Sequence, residues 1–297
     1  MKVLVITGDK NFKPGNERYD LQKSAVDKLE VMYWGRGSVW PALPEGQFDV
    51  VTAQDPFWRG LFGIRAAWRK NAKFNVQVHT DLLVYGGIKL VLMQIVLRHA
   101  DSIRVVSEKI KLQVEKVGVK AKISVLPIYI DIQRFRVVTP QDHEKKTILW
   151  IGRFEDEKDP LLAIEIFRQV LKTVESKLIF LGKGSLENSL RIAAKDLPVE
   201  FAGWQDPIKF FSRADVVLST SKHESFGASI IESLAAGVPV VAPDVGIAKD
   251  AGATAVKKEE MAQTIVEILN NPRNGRLLPI YKYSKEEWVR AWVLTLE

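Results

Sequence analysis

The chain has 297 residues, 46% hydrophobic and 27% charged, a composition for two folded α/β domains rather than a disordered chain. It has no cysteine, which excludes a disulfide framework and a thiolate metal site. Residues 1–130 hold 20 Lys and Arg against 12 Asp and Glu, a net +8, while the remainder holds 23 against 24; the first half is therefore expected to meet something anionic.

Met1 leads directly into the strand-like run Lys2–Thr7 with no signal-peptide pattern, so a cytoplasmic location is expected. Further runs at Val31–Trp34, Phe48–Ala53, Phe74–His79, Ser102–Ser107 and Lys122–Leu126 alternate with helical stretches. That alternation predicts a parallel sheet with helices on both faces. Ligands of such sheets sit beyond the C-terminal strand ends, which singles out Thr7–Gly15, Gln54–Phe57, His79–Asp81 and Ser107. Gly8 and Gly15 are read as shaping a turn. His79 closes its strand in VQVHTD, where a neutral imidazole can donate or accept one hydrogen bond without a metal. The other histidines, His99, His143 and His223, show no ligand spacing, and no metal site is assigned.

Phe57–Lys70 mixes aromatics with arginines. At about 100° per residue, Phe57, Trp58, Leu61, Phe62, Ile64 and Trp68 share an arc, but Arg65 and Arg69 fall in or beside it. A helix packed on the sheet is expected rather than a membrane helix. Ile88–Leu97 is too short to span a bilayer. Lys109–Lys122 reads as a solvated helix face able to carry membrane contact.

The polar segment Thr139–Lys146 puts a domain boundary between Pro127 and Lys146. A second series of strands follows at Thr147–Gly152, Lys177–Leu181, Val199–Ala202, Asp215–Ser219 and Val238–Ala242. The first is followed by the mixed-charge cluster Arg153–Asp159. Gly182-Lys-Gly184 and Ser185 then open a helix, and Trp204 is read as either a nucleobase-stacking or a core residue. Phe226 and Gly227 lead into a helix at Ala228–Ala236, whose first N–H groups, at Ala228 and Ser229, suit a phosphate. Glu224 and Glu232 bracket that helix start, and carboxylates there can accept hydrogen bonds from sugar and ribose hydroxyls. Met261–Leu269 is an amphipathic helix. Lys285–Leu296 is a last helix with Trp288 and Trp292 on one face.

The E-x7-E pattern from Glu224 to Glu232, within SKHESFG and followed by AAGVPVVAPDVG, resembles the donor-site signature of retaining glycosyltransferase family 4. Gly152-Arg153 with Lys158 is similar to that family's GR-x4-K element, and HTD at His79 to its histidine beside the donor sugar. Pro127–Asp131 departs from the family form, with Ile128 and Tyr129 in place of Asn and Gly, and the paired glycines of its first loop are absent.

The resemblance implies the α/β GT-B architecture, two Rossmann-like parallel-sheet domains facing a central cleft. Residues 1–135 would form the acceptor-side domain, 136–283 the nucleotide-sugar domain, and 284–297 a helix returning to the first. It implies a metal-independent, retaining hexosyl transfer with no cofactor beyond a UDP-sugar or GDP-sugar donor. Glu224 and His79 would position the sugar, Arg153 and Lys158 would stabilise the departing diphosphate, and Glu232 would hold the ribose. Phe226, Gly227, Ala228, Ser229, Gly182, Gly184 and Trp204 complete the donor site.

Expected partners are the donor, a hydroxyl acceptor (lipid-linked or a polysaccharide precursor) and an anionic membrane met peripherally at the inner face by the basic domain; no motif supports nucleic acid. A glycoside hydrolase fits poorly: its carboxylates stand about 5–9.5 Å apart, whereas eight helical residues span about 12 Å. A non-catalytic nucleotide-sugar-binding subunit is the alternative.

Overall fold

Lys2–Thr7 forms strand β1, buried throughout except at Lys2, as a continuous apolar run covered on both faces demands. It pairs in parallel with β2 (Lys28–Tyr33) on one side and β3 (Val50–Ala53) on the other. β4 (Lys73–Val78), β5 (Ser102–Val105) and β6 (Lys122–Val125) continue that side, giving the order β2-β1-β3-β4-β5-β6. The computed structural model describes residues 1–35, 41–281 and 283–297.

These strands belong to one compact unit, Met1–Tyr129 with Tyr283–Glu297. Its last helix, Lys285–Leu294, starts at a capping box in which Ser284 and Glu287 satisfy each other's backbone N–H. Trp288 and Trp292 share one face, as their spacing predicts, and are buried with Val3, Val5, Leu21 and Leu126. The Trp288 indole N–H donates to the Pro127 carbonyl at 2.8 Å.

Helix Trp58–Lys70 packs on β3 and β4, as expected, but of the aromatics in the predicted arc within this helix Phe62 is buried while Trp58 and Trp68 are exposed. Its buried residues are Gly60, Phe62, Gly63, Ala66 and Ala67, whereas Trp68 is 81% exposed. The helix lies so close that a side chain at Gly63 would meet the Phe74 ring at 2.5 Å; small residues set the approach, Phe62 is buried beside them, and Trp58 and Trp68 are turned outward. The basic stretch after Ser107 is helical only over Glu108–Glu115, since Gly118 at φ 73° ends it.

The second unit, Ile130–Lys282, repeats the plan. β7 (Lys146–Ile151), β8 (Ser176–Leu181), β9 (Val199–Gly203), β10 (Val216–Leu218), β11 (Val240–Ala242) and β12 (Thr254–Ala255) form a parallel sheet in the order β12-β11-β10-β7-β8-β9. Helix Ile132–Arg136 belongs to this unit, with Phe135 edge-on to Phe211 at 5.8 Å and Arg134 paired with Asp206. The helix expected to open at Ser185 starts at Glu187. Among the described residues no helix is long and apolar enough to cross a membrane.

Candidate functional site

The order of the second sheet brings distant residues together. From β7 the chain moves outward through β8 and β9, then returns so that β10 pairs with β7 on its other side, Val216 opposite Ile148. Crevices for ligands open where strand order reverses in this way, beyond the strands' C-terminal ends. The two loops at that point are 152–159, after β7, and 219–227, after β10.

They are tied together by a short set of bonds. The Thr220 hydroxyl accepts from Trp150 Nε1 at 2.9 Å and points at the carbonyls of Lys158 and Asp159, 2.9 and 2.8 Å away. The Lys222 N–H donates to the Glu157 carbonyl at 2.9 Å. On this frame Lys158 Nζ forms an ion pair with Glu224 Oε1, both side chains mostly buried, and the Ser221 hydroxyl donates to the same oxygen at 3.0 Å. Carboxylate, ammonium and hydroxyl thus converge at one point beyond the strand ends.

Immediately beyond stands the N-terminus of helix Ala228–Ala235, entered through Gly227 at φ 103° with no side-chain cap. Its first N–H groups, at Ala228 and Ser229, are open to an anionic ligand. Phe226 is buried, and its carbonyl is held by the Ile247 N–H at 3.0 Å. Gly246, in the loop after β11, completes this support. At φ 56° it lies so close that an added Cβ would stand 2.5 Å from the Phe226 oxygen and 2.9 Å from Glu224 Cβ. Gly246→Ala is therefore expected to cost about 2 kcal/mol and to displace Glu224. A drop of several degrees in Tm would check this; an unchanged melt would refute it.

Glu232 lies further along the same helix, half-buried near the Arg134–Asp206 pair. Burial, the dominant cause, pushes its carboxyl up to about 7, with Arg134 opposing and Asp206 adding to the shift.

Other predicted residues stand apart from this cluster. Arg153 is solvent-facing and paired with Glu157, one helical turn on in sequence. Gly182 and Gly184 pack their loop against the Gly152–Phe154 backbone, where a methyl on Gly184 would lie 2.5 Å from the Phe154 oxygen. Next to them, the Ser185 N–H and hydroxyl both donate to Glu155, at 3.0 and 2.7 Å, so an internal carboxylate occupies the donors of that turn. Trp204 is 67% exposed, which removes the core-packing alternative and leaves its ring free to stack.

In the first unit, His79 follows β4 and lines a cavity of about 600 Å³ together with Trp34, Gln54, Phe57, Tyr85 and Lys89. Its imidazole is held well below its usual range, by burial first and then by Arg104 and Arg18, so it is neutral at pH 7. Gln54 and Phe57 come from the strand-end windows that topology had singled out; Trp34, Tyr85 and Lys89 carried no sequence signal. Ser107, from the same windows, serves as an N-cap to Ile110 at 3.3 Å. Near the first loop, Gly8 lies under the Arg59 guanidinium and Gly15 turns at φ 85°.

Comparison with known proteins adds an independent view. A family model described as Glycosyl transferases group 1 matches residues 145–271, and one described as Glycosyltransferase Family 4 matches 2–134. The alpha-monoglucosyldiacylglycerol synthase of Streptococcus pneumoniae is 27% identical over 71% of this chain and 55% of its own length. A GDP-mannose-dependent alpha-(1-6)-phosphatidylinositol dimannoside mannosyltransferase of Mycobacterium tuberculosis is 26% identical over 54% of this chain and 47% of its own. The chain spans about half the length of the curated relatives it matches. The crystal structure of Anabaena HepE in complex with UDP superposes with a TM-score of 0.71 over 99% of this chain and 94% of that one, at 16% identity.

Proposed function

This chain belongs to the group 1, family 4 glycosyltransferases and has their GT-B fold, and from that premise we propose that it moves a hexose-type sugar from a UDP or GDP donor to a hydroxyl acceptor with retention of configuration. The observation that carries this reading is the Lys158–Glu224 pair beside the uncapped helix start at Gly227, where the strand order of the second sheet reverses. The second unit is the nucleotide-sugar half and the first the acceptor half.

In this reading Glu224 accepts hydrogen bonds from the donor sugar and Glu232 from the ribose. The helix N-terminus and Lys158 face the diphosphate. Without donor, Lys158 and Glu224 neutralise each other; a diphosphate competes for the ammonium and leaves the carboxylate to the sugar hydroxyls. Arg153 joins Lys158 by exchanging its exposed partner Glu157 for phosphate, a cheap step because surface pairs are worth about 0–1 kcal/mol. Negative charge on the leaving oxygen is then met by two cations and helix N–H groups without a metal. Gly182 and Gly184 shape the turn alongside, and Trp204 stacks on the base. In the first unit, His79 offers a hydrogen bond to a sugar hydroxyl.

The test is the thermal shift of the purified protein with UDP, GDP, ADP and their sugar conjugates, with and without chelator. One nucleotide at a hundred times its Kd is expected to add about 2.7 kcal/mol of apparent stability, with or without chelator. No shift with any of them would overturn the donor site, and a strict magnesium requirement would overturn the two-cation reading. A shift without turnover would mark the second reading, a non-catalytic nucleotide-sugar-binding subunit; the observation on its side is Tyr129 of the altered linker segment, which packs edge-on against Trp288 at 6.0 Å.

The acceptor class we favour is a lipid-linked hydroxyl met at a cytoplasmic anionic membrane surface. Neither basic stretch named from sequence offers the best surface for it. Helix Ile88–Arg98 has no acidic residue, and Ile88, Val91 and Ile95, at i, i+3 and i+7, are 62%, 50% and 39% exposed. The preceding turn adds exposed Leu83 and Val84 and is held to helix Glu108–Glu115 through Gln113. Apolar side chains flanked by Lys89 and Arg98, in the half with net charge +8, suit an anionic lipid surface. Co-sedimentation with anionic vesicles is expected to fall as salt rises and to be lost in Val91→Glu; no binding at low salt would reject it.

A further inference from the structure

A chain of buried polar side chains crosses the first unit and ends at His79. Asn75 Nδ2 donates to the Thr295 carbonyl at 2.8 Å and to Ser102 Oγ at 2.9 Å. Its Oδ1 accepts from the Thr52 hydroxyl at 2.7 Å, and that hydroxyl accepts from Gln77 Nε2 at 2.9 Å. Gln77 Oε1 accepts from Arg104 Nη1 at 2.9 Å and faces His79 Nε2 at 3.2 Å. Arg104 is 1% exposed. It is fixed by bonds to the carbonyls of Leu126 and Pro127, at 3.1 and 2.9 Å, and by the Trp288 ring 5.3 Å away.

Each bond in this chain has only one permissible direction. A guanidinium can only donate, so the Gln77 atom facing Arg104 is the amide oxygen. From the other end, the Thr295 carbonyl accepts only, so Asn75 turns its NH2 there and its oxygen to Thr52. The single Thr52 hydrogen is thereby committed, and Gln77 must donate to that hydroxyl. Both ends fix the same orientation of Gln77. Its oxygen can only accept from His79, which requires the hydrogen on Nε2 and leaves Nδ1 with a lone pair.

We propose that Arg104 and Gln77 are positioning residues that hold His79 as its neutral Nε2–H tautomer, making Nδ1 the acceptor for a sugar hydroxyl in the cavity. Gln54 supplies the complementary donor. Its Oε1 accepts from Thr7 Oγ1 at 2.7 Å, while its buried Nε2 has no partner among the described residues, and both Gln54 and His79 line the same cavity. One bare acceptor and one bare donor suit vicinal hydroxyls, each of which both gives and takes a hydrogen bond. The sugar part of this proposal rests on the function above; the tautomer does not.

The test is long-range ¹⁵N–¹H correlation spectroscopy of the full chain labelled at its four histidines, with His79 assigned by His79→Gln. Wild type is expected to show a protonated Nε2 and an unprotonated Nδ1. Gln77→Met, which removes the acceptor, is expected to populate both tautomers and lower transfer about tenfold, the scale of one lost hydrogen bond. Gln77→Glu, which keeps an acceptor facing Arg104 and His79 but loses the donor to Thr52, is expected to retain a protonated Nε2. A wild-type Nδ1–H tautomer, or a Gln77→Met spectrum like wild type, would overturn the proposal. Should Gln77→Met not fold, the wild-type and Gln77→Glu spectra decide. If the chain proves not to transfer sugar, these signatures still stand, so the two failures are told apart.

Discussion

Replacing Glu224 by Gln is expected to lower sugar transfer about 10²–10³-fold at saturating donor while leaving the fold intact. A carboxylate can accept from two sugar hydroxyls through charge-assisted bonds, each worth about 1.5–3 kcal/mol; the amide keeps the shape, surrenders the charge and turns one acceptor into a donor. The effect on stability is much smaller. Lys158 loses its ion-pair partner, but the loop stays pinned by Thr220 to the carbonyls of Lys158 and Asp159, and by Lys222 to Glu157. A loss of about 1 kcal/mol is expected. Lys158→Met should also impair transfer, through the diphosphate, and the double variant should lose less than the sum, because the residues share one interaction. Steady-state rates and thermal melts of the three variants check this. Unchanged transfer in Glu224→Gln would remove this residue from the site.

How far this site could be read from sequence depends on the distance over which each interaction acts. The parallel strands were legible because apolar runs such as Lys2–Thr7 and Lys177–Leu181 have no other stable home, and their edges moved by no more than three residues. The position of His79 followed from strand polarity alone. Nothing local joins Lys158 to Glu224: the chain between them makes two strands of the sheet before returning, so only the family pattern linked them beforehand.

Other features turned on packing. The wheel over Phe57–Lys70 weighted aromatic bulk, whereas the sheet selected Gly60, Gly63 and the alanines for close approach. Ile88–Leu97 is the longest apolar stretch near the middle of the sequence, and the fold keeps Ile88, Val91 and Ile95 of it in contact with water. Arg153 was placed by its motif, but its i+4 neighbour Glu157 already announced a local partner. The same holds for Glu155, two residues after Arg153, whose carboxylate fills the turn at Ser185.

Glu232→Gln is expected to make the protein more stable and a worse nucleotide binder at once. In the folded state burial pushes this carboxyl up to about 7, against 4.5 as its ordinary value. Between those two pH values the folded chain retains a proton that the unfolded chain has released. Stability from this group therefore falls as pH rises from about 4.5 to 7, and the loss is complete above that window. Its size is about 3 kcal/mol. Gln cannot ionise, so the variant should melt with wild type near pH 5 and several degrees above it at pH 8. Ribose hydroxyls donating to Glu232 favour its charged form. Nucleotide binding should accordingly release a proton below pH 7 and tighten as pH rises to that point, a dependence Glu232→Gln abolishes along with about 10–100-fold in affinity. Melts at the two pH values and calorimetric titrations in buffers of different ionisation enthalpy measure both effects. Parallel pH slopes for the two proteins would show that the carboxyl is not held protonated. Equal nucleotide affinity would show that it does not meet the ribose. Both effects together would mean that a half-buried acid is maintained against its own stability because a ligand hydroxyl uses it.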